Sequence, residues 1–181
     1  MIRLDPIITD DPASRILEIA GRLTGLLRAD GLHISFAESC TGGLVAKSLT
    51  DVAGASDVFE CSFVTYSNDR KTRLLGVDEA LLDERGPVNE ETAAQMAAGA
   101  VRAAGSDLAV GITGVAGPGP DGDHPEGEIY IALYDGKETY IVALDTKTED
   151  RRDYNRQLAA LNALYLAEQY MTEKQRRDNR G

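Results

Sequence analysis

The chain switches hydrophobic period along its length, and this alternation restricts its fold more than any other feature. Residues 14–29 place Ile16, Leu17, Ile19, Ala20, Leu23, Leu26 and Leu27 on one helical stripe, with Ser14 positioned as N-cap and Gly31 just beyond the end. HISFA (His33–Ala37) follows as a short strand, then ESCTGG, then GLVAKSLTDVAG, which reads as a helix. SFVTY (Ser62–Tyr66) is a second strand, and Ser67 or Asn68 starts a short helix through Leu75. Asn89 caps an alanine-rich helix from Glu90 to about Ala104. DLAVGIT (Asp107–Thr113) has the character of a buried strand and runs into GVAGPGPDGDHPEGE, too rich in Gly and Pro to be regular. Ile129–Tyr134 and Thr139–Leu144 flank Asp135-Gly136, a hairpin-turn signal, and a last helix spans about Asp150 to Met171.

Helices alternating with strands, then a hairpin, predict an α/β fold: a single three-layer α/β/α domain with a mixed sheet and a C-terminal helix. The strand order does not follow from the pattern. The expected domain covers residues 14–171, with an N-terminal extension at 1–13 and a charged tail at 172–181 that frays. A length of 181 residues suits one core rather than two.

Composition narrows the chemistry. Two cysteines, Cys40 and Cys61, give no disulfide framework, and the acidic N-terminus lacks the apolar core of a signal peptide, so a cytoplasmic location is expected. No apolar run is long enough for a membrane span. A formal net charge of −11 argues against nucleic acid as a partner but allows a small anionic substrate held by a local donor cluster. With only His33 and His124, a Ser-His-Asp triad or a histidine-rich metal site has almost nothing to be built from.

Three loops that follow strands carry the polar residues of interest. In Glu38-Ser39-Cys40-Thr41-Gly42-Gly43 a strand meets a helix start, where unpaired N–H groups and paired glycines suit an anion or oxyanion. A tight turn with Thr41 as N-cap accounts for the same residues. In GASDVFECSFVTYSNDRK, Ser56 precedes an apolar stretch, and Tyr66 and Lys71 can both face the end of the sheet. A lysine serves as general base only if burial or a neighbouring cation lowers its pKa. The bland alternatives are a helix cap for Ser56, a core tyrosine and a solvated lysine. In GITGVAGPG, the Thr113 hydroxyl and the free amides from Gly114 onward suit a phosphate or a sugar.

Asp121, Asp123, His124, Glu126 and Glu128 fit neither a calcium loop nor a zinc site and read as a solvated acidic loop. Arg151, Arg152 and Arg156 crowd a helix start, where cations oppose the dipole; Arg151 and Arg156 are candidate phosphate clamps, or partners of Glu149, Asp150 and Asp153. Cys40 is read as a small buried filler rather than a nucleophile, since no histidine adjoins it.

Taken in order, AESCTGG (Ala37–Gly43), AGAS (Ala53–Ser56), FVTYSNDRK (Phe63–Lys71), GITGVAGPGP (Gly111–Pro120) and GEIYIAL (Gly127–Leu133) resemble the CinA C-terminal domain, or nicotinamide-nucleotide amidase, family. The resemblance covers about residues 14–170 and implies deamidation of nicotinamide mononucleotide to nicotinate mononucleotide and ammonia, with no metal or organic cofactor. It also implies a Ser–Lys site at Ser39, Ser56, Tyr66 and Lys71, with Thr113 and Arg151 as substrate-binding positions. The ESCTGG motif adds Thr41, Gly42 and Gly43 to the expected binding loop. The chain departs from the family pattern at His124 and Glu128, where a lysine and a threonine are frequent.

The expected mechanism has neutral Lys71 deprotonating a serine that attacks the carboxamide, with glycine-loop amides holding the oxyanion and Tyr66 orienting the lysine or relaying its proton. Which of Ser39 and Ser56 attacks stays open, with Ser39 favoured by its strand-to-helix elbow. The partners expected are the nucleotide and further copies of the chain as a homo-oligomer. A non-catalytic nucleotide-binding regulatory module is the competing reading.

Overall fold

A computed structural model describes residues 1–179. Its elements in chain order are β1 (Ile2–Arg3), α1 (Pro12–Asp30), β2 (Ile34–Glu38), α2 (Leu44–Thr50), β3 (Phe59–Val64) and α3 (Asn68–Leu75). They continue with α4 (Glu79–Arg85), α5 (Glu90–Ala104), β4 (Leu108–Gly114), β5 (Glu128–Tyr134), β6 (Thr139–Asp145) and α6 (Arg152–Asp178). One six-stranded sheet runs β1-β6-β5-β4-β2-β3. β3, β2 and β4 are parallel, whereas β4-β5-β6 is an antiparallel meander and β1 pairs parallel with β6.

Helices α1, α2 and α6 cover one face and α3 and α5 the other, which completes the α/β/α sandwich. The faces are unlike because strand residues alternate in size as well as in direction. Ile34, Phe36, Leu108, Val110, Ile112, Ile129, Ile131 and Leu133 meet α1 and α6 in the larger core. Ala37, Ala109, Gly111 and Ala132 face α5, whose own contribution is Ala93, Met96, Ala97 and Ala100. Small residues on both sides bring backbone to backbone: a Cβ on Gly111 would lie 2.3 Å from the Ala93 carbonyl oxygen.

The helix ends show which local signals won. Asn89 caps α5 through Thr92 N at 2.8 Å, and Gly31 ends α1 in the left-handed conformation. The α1 cap is Asp11 rather than Ser14: Asp11 Oδ1 accepts from Ser14 N at 3.2 Å and Pro12 takes the first helical position. The expected extension at 1–13 is structured, since β1 joins the sheet and Ile7 N donates to Asn162 Oδ1 at 2.8 Å. The expected fraying after Met171 is also corrected. Helix α6 runs on to Asp178 because Lys174 bridges Asp30 and Asp178, and Gln175 donates to Asp30 at 2.7 Å. Arg180 and Gly181 of that tail lie outside the described residues. Among the described residues no helix is long and apolar enough to cross a membrane.

Candidate active site

The loop after β2 leads to α2 on one face and the loop after β3 to α3 on the other, so a crevice opens at the carboxyl ends of these parallel strands. A cleft of about 240 Å³ occupies it, lined by Ser39, Tyr66, Lys71, Thr113, the Val115–Pro120 loop and Arg152 among others. Ser39 stands directly after β2, and its N–H donates to Ile112 O of β4 at 3.0 Å, so the sheet fixes the serine's position.

Lys71 enters from the first turn of α3 and is only 1% exposed. Its Nζ lies 3.2 Å from Ser39 Oγ and 3.0 Å from the Thr65 carbonyl oxygen. Burial pushes its pKa down from 10.5 to about 8, against a weaker opposing influence of Cys40. No carboxylate stands within ion-pair distance of it among the described residues, so desolvation is uncompensated and the neutral amine is accessible near physiological pH. Burial pushes the neighbouring Cys40 thiol up to about 12, which leaves it protonated and a poor nucleophile, as the sequence suggested.

The other expected site residues separate. Ser56 lies in a 3₁₀ turn (Ala55–Asp57) before β3, at the far end of that strand from the cleft, and its Oγ is 3.5 Å from Asp57 Oδ1. Strand rise alone puts it about 20 Å from Ser39 within one chain. Tyr66 does line the cleft, but its hydroxyl accepts from Arg152 Nη2 at 3.2 Å rather than bonding Lys71; the lysine is oriented by the Thr65 carbonyl instead. Thr113 and Gly114 line the cleft, with the Thr113 hydroxyl donating to Pro87 O at 2.8 Å. Thr41 is fully buried, its hydroxyl has no partner among the described residues, and its carbonyl accepts from Arg156 Nη2 at 2.8 Å. Arg151 stacks over the Tyr154 ring at 4.2 Å and is not among the cleft-lining residues.

Gly42 and Gly43 do not form an open anion site. The carboxylate of Glu38, fully buried, accepts from Gly43 N (2.8 Å), Val45 N (3.1 Å) and Ala46 N (3.0 Å) and from the Ser62 hydroxyl (3.1 Å). The start of α2 is therefore satisfied by the chain's own anion. Both glycines are needed for the turn, at φ 61° and 94°.

A second buried carboxylate ties the glycine-rich loop to α6. Glu126 accepts from Gly119 N (2.8 Å), Asp150 N (3.2 Å), Arg151 N (2.8 Å) and Asn155 Nδ2 (3.2 Å). It also sits over Gly117, where a Cβ would lie 2.2 Å from its carboxyl carbon. Glu126 is thus no part of a solvated loop, and His124 and Glu128 pair with each other at 3.0 Å. Among the described residues no cluster of His, Cys, Asp and Glu gathers as a metal site.

The Arg151 N–H and the other amides hold the Glu126 carboxyl below the usual carboxylate range. A depressed carboxyl stabilises the fold above its unfolded-state pKa, and that contribution disappears as pH falls through the folded value. Glu126→Gln is expected to lower the melting temperature at pH 7 and to flatten the wild-type loss of stability on the acid side. Thermal melts across pH check this; identical acid limbs for the two proteins would show that Glu126 does not hold the loop.

Fold and cleft together define a single α/β/α domain with a serine–lysine pair at the carboxyl edge of its parallel strands. The family model described as CinA C-terminal domain matches residues 17–171, and the chain belongs to that family. A CinA-like protein of Geobacter sulfurreducens is 55% identical over 111 residues, covering 61% of this chain. The chain spans only 27% of that relative's length. A protein of Enterobacter agglomerans named nicotinamide-nucleotide amidohydrolase PncC is 40% identical over 154 residues, covering 84% of this chain and 93% of the relative. Among solved structures, a competence-damaged protein (CinA) superfamily protein of Escherichia coli superposes with a TM-score of 0.83 at 29% identity, covering 91% of this chain and 94% of its own.

Proposed function

We propose that this chain is an amidohydrolase that converts nicotinamide mononucleotide to nicotinate mononucleotide and ammonia, with Ser39 as nucleophile and Lys71 as base. The observation that carries the mechanism is the 3.2 Å separation of Lys71 Nζ from Ser39 Oγ, with the amine buried and its pKa near 8. The name of the Enterobacter agglomerans relative supports this substrate, the match covering 84% of this chain and 93% of the relative.

Neutral Lys71 takes the Ser39 proton as Oγ adds to the carboxamide carbon. The carbonyl electrons move to oxygen, where free backbone N–H groups lower the energy of the developing charge. Ala116 and Gly117 line the cleft, as does Cys40 directly after the nucleophile. Among the described residues their N–H groups donate to no other residue, so they are available for this oxyanion. The protonated lysine then delivers its proton to the leaving nitrogen, the C–N bond breaks and ammonia departs. Water, deprotonated by the same lysine, adds to the acyl–serine; the ester bond breaks as the lysine returns that proton to Ser39, and the carboxylic acid product leaves, giving its own proton to solvent. The mechanism calls on cleft-lining groups and water and uses no cofactor.

The reduced thiols Cys40 and Cys61 suit the cytoplasm. The exposed edge strand β3 leaves room for the expected homo-oligomer. The test is ammonia release by the purified chain from nicotinamide mononucleotide with and without a chelator. Ammonia is expected in both conditions. Binding of the nucleotide with no ammonia would leave only the regulatory-module reading, and chelator-sensitive turnover would overturn the metal-free mechanism.

A further inference from the structure

We propose that Arg152, one residue on from the arginine singled out by family resemblance, is the side chain that reads the phosphate of the substrate. This inference rests on the deamidase reading above and adds the group that selects a nucleotide over a nucleoside.

Elimination leads to it. A phosphate needs donors that are not already engaged. The start of α2 is occupied by Glu38, and the amides leading into α6 are occupied by Glu126. Arg156, bonded to the Thr41 carbonyl, and Arg151, lying over Tyr154, are not among the cleft-lining residues. Lys71 must be neutral to act as base, so it cannot also be the fixed counter-charge. Of the cleft-lining residues only Lys71, Asp121 and Arg152 carry ionisable charge at neutral pH.

Arg152 is well suited to the task. Its guanidinium stands at the rim, bridging the Gly117 carbonyl on one lip of the cleft and the Tyr66 hydroxyl on the other. Both acceptors are neutral, and among the described residues no carboxylate, Asp121 included, lies within ion-pair distance of it. Arg3, Arg22, Arg28, Arg70, Arg73 and Arg176 all have such a partner. A guanidinium has five N–H donors, and two contacts leave several for a phosphate in the fork geometry that arginine favours. Its position also fits the chemistry: Arg152 is exposed whereas Ser39 is half-buried and Lys71 buried, so a substrate anchored at the rim by its phosphate would present its far end to the nucleophile.

The discriminating experiment compares ammonia release from nicotinamide mononucleotide and from the phosphate-free riboside in wild type, Arg152→Ala and Arg152→Lys. For Arg152→Ala, kcat/KM on the mononucleotide should fall about 10- to 100-fold, mostly through KM, while the riboside changes less than about twofold. Lysine should recover part of the loss as a point charge. Equal losses on both substrates would overturn the proposal, because they would mean that Arg152 only holds the rim together; so would an unchanged mononucleotide KM. If wild type releases no ammonia from either compound, the deamidase reading fails by itself. Calorimetric binding of nicotinate mononucleotide and its riboside to the same proteins then decides the inference: it stands if wild type prefers the phosphorylated ligand and Arg152→Ala does not. Wild-type binding without that preference, or no binding of either ligand, overturns it.

Discussion

Lys71→Arg is expected to lower turnover about a thousandfold or more while nucleotide affinity stays within a few-fold of wild type. Arginine keeps a positive charge at the position but does not deprotonate at any accessible pH, so binding through charge survives and proton transfer does not. The wild-type pH profile supplies the complementary result. With the amine titrating at about 8, kcat/KM should climb about tenfold per pH unit below that value and level off above it. Wild-type turnover in Lys71→Arg, or a flat profile between pH 6 and about 8, would remove Lys71 from the role of base.

The same lysine carries a stability cost that can be measured without substrate. Between pH about 8 and 10.5 the unfolded chain binds a proton at Lys71 that the folded chain does not, so folding stability rises with pH across that window. Below the folded pKa the full penalty is present, about 3 kcal/mol from the size of the shift. Lys71→Met should therefore be inactive yet more stable than wild type at neutral pH, by up to about 3 kcal/mol. The difference should vanish as pH rises past the ordinary lysine range. Denaturant melts at two pH values check it.

Ser39→Ala is expected to reduce turnover by about 10⁴-fold or more, and Ser56→Ala by less than about twofold. The contrast follows from position alone: one hydroxyl adjoins the buried amine and the other lies across the length of β3. Cys40 is not expected to take over in the Ser39 variant, because a thiol with a pKa of about 12 stays protonated. Steady-state ammonia release from both variants decides the matter. A large loss in Ser56→Ala would mean that Ser56 reaches a reacting centre from a second copy of the chain.

The sequence and the structure agree where information is local. The order of strands and helices, the Asn89 cap, the Gly31 terminus and the Asp135-Gly136 turn depend on neighbouring residues and appear as expected, although β3 lies at Phe59–Val64 rather than Ser62–Tyr66 and α2 stops at Thr50 rather than near Gly54. Apart from the local choice of Asp11 over Ser14 as the α1 cap, the larger disagreements come from contacts between distant residues. Strand β1 has only two residues and exists because β6 offers a free edge. Helix α4 has only 7 residues, too few for an apolar period to show in the sequence, and α6 outlasts its apolar stripe because Asp30, far away in sequence, holds Lys174 and Gln175.

The candidate site divides in the same way. Ser39, Tyr66 and Lys71 could be singled out by residue type and motif, whereas the gap between Ser39 and Ser56 depends on which way β3 runs. Arg151 and Arg152 look equivalent in the sequence. Arg151 is the non-helical residue before α6 (φ −113°, ψ 39°) and Arg152 the first helical one; the first lies over the Tyr154 ring and the second lines the cleft. Glu38 and Glu126 gave a weak signal, an acidic residue near a glycine, that is shared by many solvated loops.

The buried Glu38 carboxylate decides which part of the cleft moves and which does not. A serine loop whose amides waited for a ligand would be ordered anew in every cycle, and each cycle would bear the entropy of that ordering. Here the internal carboxylate does the ordering once, when the chain folds, and the loop arrives at each encounter already shaped. Whatever flexibility the proposed reaction requires then resides elsewhere in the cleft wall, leaving the Ser39 loop as the stationary part against which ligands are exchanged.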